Sequence, residues 1–301
     1  MAELYALIKE RFGAACAFSR PASGFTTYRA GGPVDVVAEP SSREDLAWLN
    51  NFCREKGLPL IALGAGSNVL VSDKGFRGVC ALTLKLDALT VAGDTLTAGA
   101  GALWDDAVRA AVEAGLGGAE RTSGIPGTVG GAVFMNAGAF GQETFDRLES
   151  FEVMDRAGLV RVLKRSDVKH GYRKVEGLEG LTVLSAVFRL QAADRKVLES
   201  ERACVLRSRA EKQPLDLPSA GSVFKRPAGD YASRLIDASG LKGLRIGDAQ
   251  VSEKHAGFIV NRGKASASDI YSLIKKVRAE VKAGTGVELE LEQILLGDFE
   301  S

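Results

Sequence analysis

The sequence is short of several things. Cysteine occurs four times in 301 residues, at Cys16, Cys53, Cys80 and Cys204, far apart and without CxxC spacing. This excludes a disulfide framework and reads as buried thiols in a reducing compartment. Histidine occurs only at His170 and His255, and no companion ligands lie near either in the chain. Neither a metal site nor a Ser-His-Asp triad is therefore expected. No run approaches the roughly 20 apolar residues of a membrane span. The opening Met1-Ala2-Glu3-Leu4-Tyr5 mixes an acid into its apolar residues, which excludes a signal peptide. A net charge of one sign is also missing: 39 Lys+Arg stand against 38 Asp+Glu, leaving +1. Proteins that bind the phosphates of nucleic acid carry a basic excess, so no such partner is expected. These absences describe a soluble, cytoplasmic, metal-free protein without a membrane span.

Glycine is in excess, with 35 residues in 301, where average usage of about 7% would supply about three fifths of that number. A globular chain uses that much glycine where its backbone turns tightly or approaches a ligand closely. The length suits two domains. Up to about residue 190, short apolar runs alternate with helical patterns and Gly-rich joints. Val34–Glu39 reads as a strand, Ser41-Ser42-Arg43-Glu44 as a capping box, and Leu46, Leu49, Phe52 and Cys53 as one helix face. Phe151–Asp155 and Leu159–Lys164 flank Arg156-Ala157-Gly158 as a hairpin, and Leu181–Leu190 is a further strand. From 191 the character changes: Arg195–Lys212 is a charged helix, and Ser268 caps a helix with Ile270, Leu273, Ile274, Val277 and Val281 on one face. Val287–Leu296 reads as the last strand. The predicted domains are 1–190 and a smaller 191–301, each α+β.

Five constellations suit chemistry. Gly64-Ala65-Gly66-Ser67-Asn68 lies between two strands, where alternate glycines let backbone N–H groups converge on an anion and Ser67 and Asn68 add donors. It reads equally as a Gly-rich hairpin turn, and it is no dinucleotide fingerprint because a strand follows it. Ala98-Gly99-Ala100-Gly101-Ala102 runs from strand to helix but lacks the third glycine of that fingerprint. Ser123-Gly124-Ile125-Pro126-Gly127-Thr128-Val129-Gly130-Gly131, continuing to Asn136-Ala137-Gly138-Ala139-Phe140-Gly141, is apolar where a flexible linker is polar. It reads as a rigid loop wrapped against a flat or extended ligand, or as a structural turn. Ser219-Ala220-Gly221-Ser222-Val223-Phe224-Lys225-Arg226 sets two cations beside a Gly-flanked hydroxyl, as an anionic substrate or an ordinary surface loop requires. In Val287–Leu296, alternation places Glu288, Glu290 and Glu292 on one face that continues as Ile294 and Leu296. Glu292 then stands where the face turns apolar, a setting that desolvates a carboxylate and raises its pKa.

Taken in order, Thr26-Thr27-Tyr28-Arg29-Ala30-Gly31-Gly32, Gly64–Asn68, Ser123–Gly131, Tyr172-Arg173, Gly221–Pro227 and Leu289-Glu290-Leu291-Glu292 resemble the UDP-N-acetylenolpyruvoylglucosamine reductases (MurB), over nearly the whole chain. The short chain looks like the type II branch, which lacks an inserted substrate-covering loop. The resemblance implies a PCMH-type (vanillyl-alcohol-oxidase-like) FAD-binding domain and a C-terminal substrate domain. It also implies non-covalent FAD, NADPH as electron donor, and reduction of the enolpyruvyl ether of UDP-N-acetylglucosamine to UDP-N-acetylmuramate in peptidoglycan synthesis. By position, FAD would be held by Gly64, Ala65, Gly66, Ser67, Asn68, Ser123, Gly124, Ile125, Gly127, Thr128, Gly130 and Gly131. Arg173 would bind and polarise the substrate carboxylate with Glu292 nearby, and Ser222 would donate the proton. Asn136, Lys212, Lys225 and Arg226 would complete the substrate contacts. Two departures stand out: Val175 replaces the Ser usual two residues after Tyr-Arg, and Gln293 replaces an apolar residue after the last Glu. Two rivals remain, a covalent flavin oxidase of the same broad fold and a non-catalytic UDP-sugar-binding protein. Neither histidine lies in a Gly-rich loop, which disfavours the first.

Overall fold

The computed structural model describes residues 2–299. The chain divides into two compact units. The first takes the chain up to Ala17, Val36–Ala65 and Gly78–Ser208; the second takes Phe18–Asp35, Gly66–Arg77 and the chain from Arg209 onward. This corrects the expected boundary between 190 and 191, for two physical reasons. The helix over Arg195–Lys212 starts as part of the first unit, where Arg202 forks onto both oxygens of Asp105 at 3.0 and 2.7 Å. The segments 18–35 and 66–77 join the second unit because the strand Val69–Val71 pairs in parallel with Ile294–Leu296, and Tyr28 lies in the same core as Leu70 and Ile274.

The first unit holds the greater part of the two larger sheets. A four-stranded sheet runs in the order Cys16–Pro21, Pro33–Ala38, Phe76–Leu82, Leu60–Leu63. Helix α1 (Ala2–Phe12) and helix α2 (Arg43–Glu55) supply apolar residues to its core: Ile8, Leu46, Leu49 and Cys53 pack with Val36, Val79 and Ala81. The α2 cap sits one residue later than the expected box, because the Ser42 hydroxyl accepts the Asp45 N–H while Asp45 accepts from Ser41. The second sheet is antiparallel throughout, in the order Val160–Lys164, Leu148–Met154, Thr182–Arg189, Thr95–Gly99, Leu89–Ala92. Helix α3 (Trp104–Glu113) and helix α4 (Val129–Met135) supply Trp104, Ala107, Val108, Ala111, Val129, Ala132 and Val133 to the core that Phe151, Ala186 and Phe188 share. The Gly99–Gly101 run is the end of a sheet strand and its turn into α3.

Helix α5 spans Arg195–Lys212; in the second unit, helix α6 (Ala232–Ala238) and helix α7 (Ala267–Thr285) pack with the short sheet Arg245–Ile246, Ala249–Val251, Ile259–Asn261. The expected α7 face is buried as read from its spacing. Its cap is Ser266, not Ser268; the Ser266 hydroxyl accepts the Asp269 N–H, and Asp73 accepts the N–H groups of Ala267 and Ser268 at 2.8 and 2.7 Å. The expected strand over Val287–Leu296 is corrected most. Only Ile294–Leu296 is regular strand. Before it, residues 290–292 bond instead to 223–225, so the segment changes partner midway and cannot hold one ladder.

Candidate active site

Both Gly-rich loops begin in the first unit. The strand Leu60–Leu63 delivers Gly64 and Ala65, and a Cβ on Gly64 would lie 2.2 Å from the Thr128 hydroxyl oxygen. Only glycine lets the two loops touch there. Thr128 caps α4 and accepts the Gly131 N–H at 3.4 Å. Around it the wrapped loop is pinned: Gly127 accepts the Trp104 N–H, the Gly130 N–H donates to Ala100, and the Gly124 N–H donates to Asp105 at 2.7 Å. Ser123 is fully buried, with its hydroxyl donating to the Glu120 carbonyl at 2.5 Å, and Ile125 packs on the core. Asp105, held by Arg202, is a supporting residue that pattern reading missed, because it borrows its role from a helix nearly a hundred residues on.

Asn136 is 1% exposed and ends α4 in a left-handed conformation, φ 43°. Its amide donates to Glu143 at 2.7 Å and to the Gly171 carbonyl at 3.0 Å, while its oxygen accepts the Phe145 N–H. The sequence expectation made it a substrate ligand; in the structure its polar atoms hold neighbouring loops. One of these is the hairpin in which His170 pairs with Val175 and Gly171 with Lys174, leaving Tyr172 and Arg173 at the turn. Arg173 has φ 55°, a left-handed conformation costly for a side-chain-bearing residue. Its guanidinium donates to the Gly138 carbonyl at 2.7 Å and lies 4.8 Å from the Tyr172 ring centre. Val175 is buried in the same core as Val133.

The second unit holds the remaining site residues. The Gly66 carbonyl accepts the Thr27 N–H at 3.2 Å. The Asn68 amide donates to the Glu292 carbonyl at 3.2 Å, and Ile294 N–H donates to the Asn68 carbonyl. Ser222 bridges to Phe258, while its neighbour Val223 donates to Gly257 and accepts the Glu292 N–H at 2.9 Å. Ser222, Glu292 and Asn68, spread over 224 positions of sequence, thus lie on three adjacent backbone segments. Ser222 and Glu292 are half-buried. Lys225 forms an ion pair with Glu290, Arg226 lies 4.5 Å from the Tyr231 ring centre, and Lys212 is exposed at the end of its helix. Burial lowers the pKa of His255, whose ring nitrogen accepts the Gly257 N–H at 3.2 Å. Behind Ser222 lies a group the sequence did not bring together: Tyr28, Asn261 and Gln293, all buried and bonded to one another or to the chain beside Ser222. A signal existed, since Gln293 falls in the core-facing phase with Leu289 and Leu291.

A loop that no Cβ can enter, abutting a loop with a hydroxyl cap, suits the phosphates of a dinucleotide, and a family model described as an FAD binding domain matches residues 34–164. With that domain the chain is an FAD-dependent oxidoreductase. The model for the C-terminal domain of UDP-N-acetylenolpyruvoylglucosamine reductase matches residues 213–296. The reductase of that name from Clostridium novyi (strain NT) is 43% identical over 275 residues, 91% of this chain and 90% of its own. That of Lactococcus lactis subsp. cremoris (strain SK11) is 45% identical over 282 residues, 93% of this chain and 94% of its own. The crystal structure of the enzyme (MurB) from Thermus caldophilus aligns at a TM-score of 0.81 and 36% identity, covering 92% of this chain and 98% of that one. The chain belongs to the UDP-N-acetylenolpyruvoylglucosamine reductase family.

Proposed function

We propose that the chain reduces UDP-N-acetylenolpyruvoylglucosamine to UDP-N-acetylmuramate with NADPH, in the cytoplasm, and that Arg173, Ser222 and Glu292 carry the chemistry. The reaction is a reduction step of peptidoglycan biosynthesis. When bound and reduced by NADPH, FAD would supply the hydride that adds to C3 of the enolpyruvyl group. Gly64, Ala65, Gly66, Ser67, Asn68, Thr128 and Gly131 would hold it. Hydride addition leaves electron density at C2 that spreads into the substrate carboxylate. Arg173 meets that carboxylate with a planar fork and stabilises charge where it develops. Ser222 delivers its hydroxyl proton to C2. Glu292 shares a hydrogen bond with the substrate acid in its protonated form, since two ionised carboxylates in contact repel. Lys225 and Arg226, with Lys212, offer positive charge to the diphosphate; Lys225 would have to exchange Glu290 for it.

The observation that carries this reading is the pairing of the Ser222 and Glu292 segments through the 2.9 Å bond from Glu292 N–H to Val223. It joins the backbone segment that carries Ser222 to the one that carries Glu292. The test begins with the purified protein, which should be yellow, with an absorbance band near ~450 nm, and release free flavin on denaturation. NADPH oxidation should require the enolpyruvyl substrate. Ser222→Ala should bind flavin and substrate, keep flavin reduction by NADPH, and lose turnover by about 10²–10⁴-fold. A colourless protein would favour a sugar-binding role, flavin retained on denaturation an oxidase, and parental turnover in Ser222→Ala would remove Ser222 as the acid.

A further inference from the structure

Tyr28 has no exposed surface, and its hydroxyl donates to the Gln293 side-chain oxygen at 3.0 Å. Gln293, 4% exposed, turns its amide nitrogen to the carbonyls of Ala220 at 3.0 Å and Gly221 at 3.4 Å. These are the two residues before Ser222. Gly221 has φ 74°, and nothing lies within 4 Å of where its Cβ would be, so packing leaves this joint soft. The Gln293 amide restrains it from one side, while the Ser222 bridge to Phe258 and the Val223 N–H to Gly257 hold the residues that follow. At the other end, the Tyr28 carbonyl accepts the Asn261 amide at 3.0 Å, and the preceding Thr27 N–H donates to Gly66 at 3.2 Å. One bonded path therefore runs from the Gly66–Asn68 loop through Tyr28 and Gln293 to the joint that aims Ser222. An apolar residue at 293 would fill the core without a buried amide, but it would leave both the Tyr28 hydroxyl and the Ala220 carbonyl without this partner.

We propose that Tyr28 and Gln293 are positioning residues that fix the Ser222 hydroxyl relative to the Gly66–Asn68 loop. The proposal rests on Ser222 being the proton donor. Its prediction is a fault confined to the proton-delivering half of the reaction, produced by residues that act only through Ser222.

The experiment compares Gln293→Leu, Gln293→Glu, Tyr28→Phe and Ser222→Ala with the parent, in two forms. In flavin-loaded enzyme, stopped-flow absorbance follows flavin reduction by NADPH and, separately, its reoxidation by substrate. In flavin-free protein, hydrogen–deuterium exchange follows the peptide over residues 219–225. For Gln293→Leu we expect unchanged reduction, reoxidation slowed on the order of 10–100-fold, a fall in kcat rather than a rise in KM, and faster exchange of 219–225 without change in α7. Tyr28→Phe should show the same pattern more weakly. Gln293→Glu tests the amide itself. As the neutral acid it can still donate to Ala220, so reoxidation should be near parental at low pH and fall as the carboxyl ionises, while reduction stays flat. Should Gln293→Leu fail to fold, Gln293→Glu decides alone, and a parental pH profile there overturns the proposal. Parental reoxidation in folded Gln293→Leu, with Ser222→Ala slow, overturns it while leaving Ser222 in place. Parental reoxidation in Ser222→Ala overturns both.

Discussion

At the residue scale, the backbone around Arg173 carries a signal of its own. Asn136, Phe140 and Arg173, three of the five non-glycine residues with positive φ among the described residues, lie in the first unit. Each costs on the order of 1–2 kcal/mol, and such conformations persist where surrounding contacts over-determine them. Here the Asn136 amide holds Gly171, and Gly138 holds the Arg173 guanidinium, so both the hairpin and the arginine side chain are fixed by hydrogen bonds. An arginine fixed as a planar fork is not replaced by a point charge. Arg173→Lys should therefore lose turnover by more than about tenfold, a barrier change of roughly 1.4 kcal/mol, while flavin reduction by NADPH persists. Steady-state and half-reaction rates measure this; a Lys variant within twofold of the parent would make the charge alone sufficient. Glu292→Gln keeps shape and a donor and should retain more activity than Glu292→Ala. A Gln variant as inactive as Ala would require Glu292 to ionise during the reaction, and parental turnover in both would remove it from the chemistry.

At the element scale, the proposed site residues sit where regular structure ends. The strand Leu60–Leu63 stops at Gly64, α4 begins at the Thr128 cap, and residues 290–292 run beside 223–225 before the strand Ile294–Leu296 forms. Scaffold elements fix such loops by their ends, which leaves backbone groups turned toward a ligand. Gly64→Val makes the point testable. Its side chain would meet Thr128 at a Cβ distance of 2.2 Å, which the two loops can relieve only by parting. The expected product is folded protein, by circular dichroism, that purifies with little flavin, read from the ratio of visible to ultraviolet absorbance. Full flavin occupancy would place the cofactor elsewhere. Much at this scale was legible: the α2 and α7 faces follow from periodicity, and the hairpin read over 151–164 and the strand read over 181–190 fall on observed strands. The last strand was not. Its alternating glutamates signal an extended chain, but whether extended chain becomes a ladder depends on partners, and here they change between Glu292 and Ile294.

At the scale of the whole molecule, stability should carry the mark of His255. Burial holds its pKa below 6.5 in the folded chain, whereas the unfolded chain takes up its proton near the ordinary value of about 6.5. Below that pH the unfolded state binds more protons than the folded one. Stability from this residue is therefore whole above about pH 6.5 and declines as pH falls towards the folded value. Urea midpoints at pH 7.5 and 5.5 should differ more for the parent than for His255→Gln, and equal differences would deny His255 this part. By itself, the sequence determined the α+β class, the order of the family's motifs and the helical faces, because periodicity, capping and glycine spacing act over a few residues. It also singled out Gly64, Arg173, Ser222 and Glu292 by residue type and order. Only tertiary structure decided that Asn68 lies on Glu292 and that Tyr28 reaches Gln293 across 265 positions. It alone assigned residues 18–35 and 66–77 to the unit formed by the C-terminal part of the chain. The physical reason is that a buried hydroxyl, amide or unpaired strand edge must find a partner, and nothing in a local pattern says how far along the chain that partner stands.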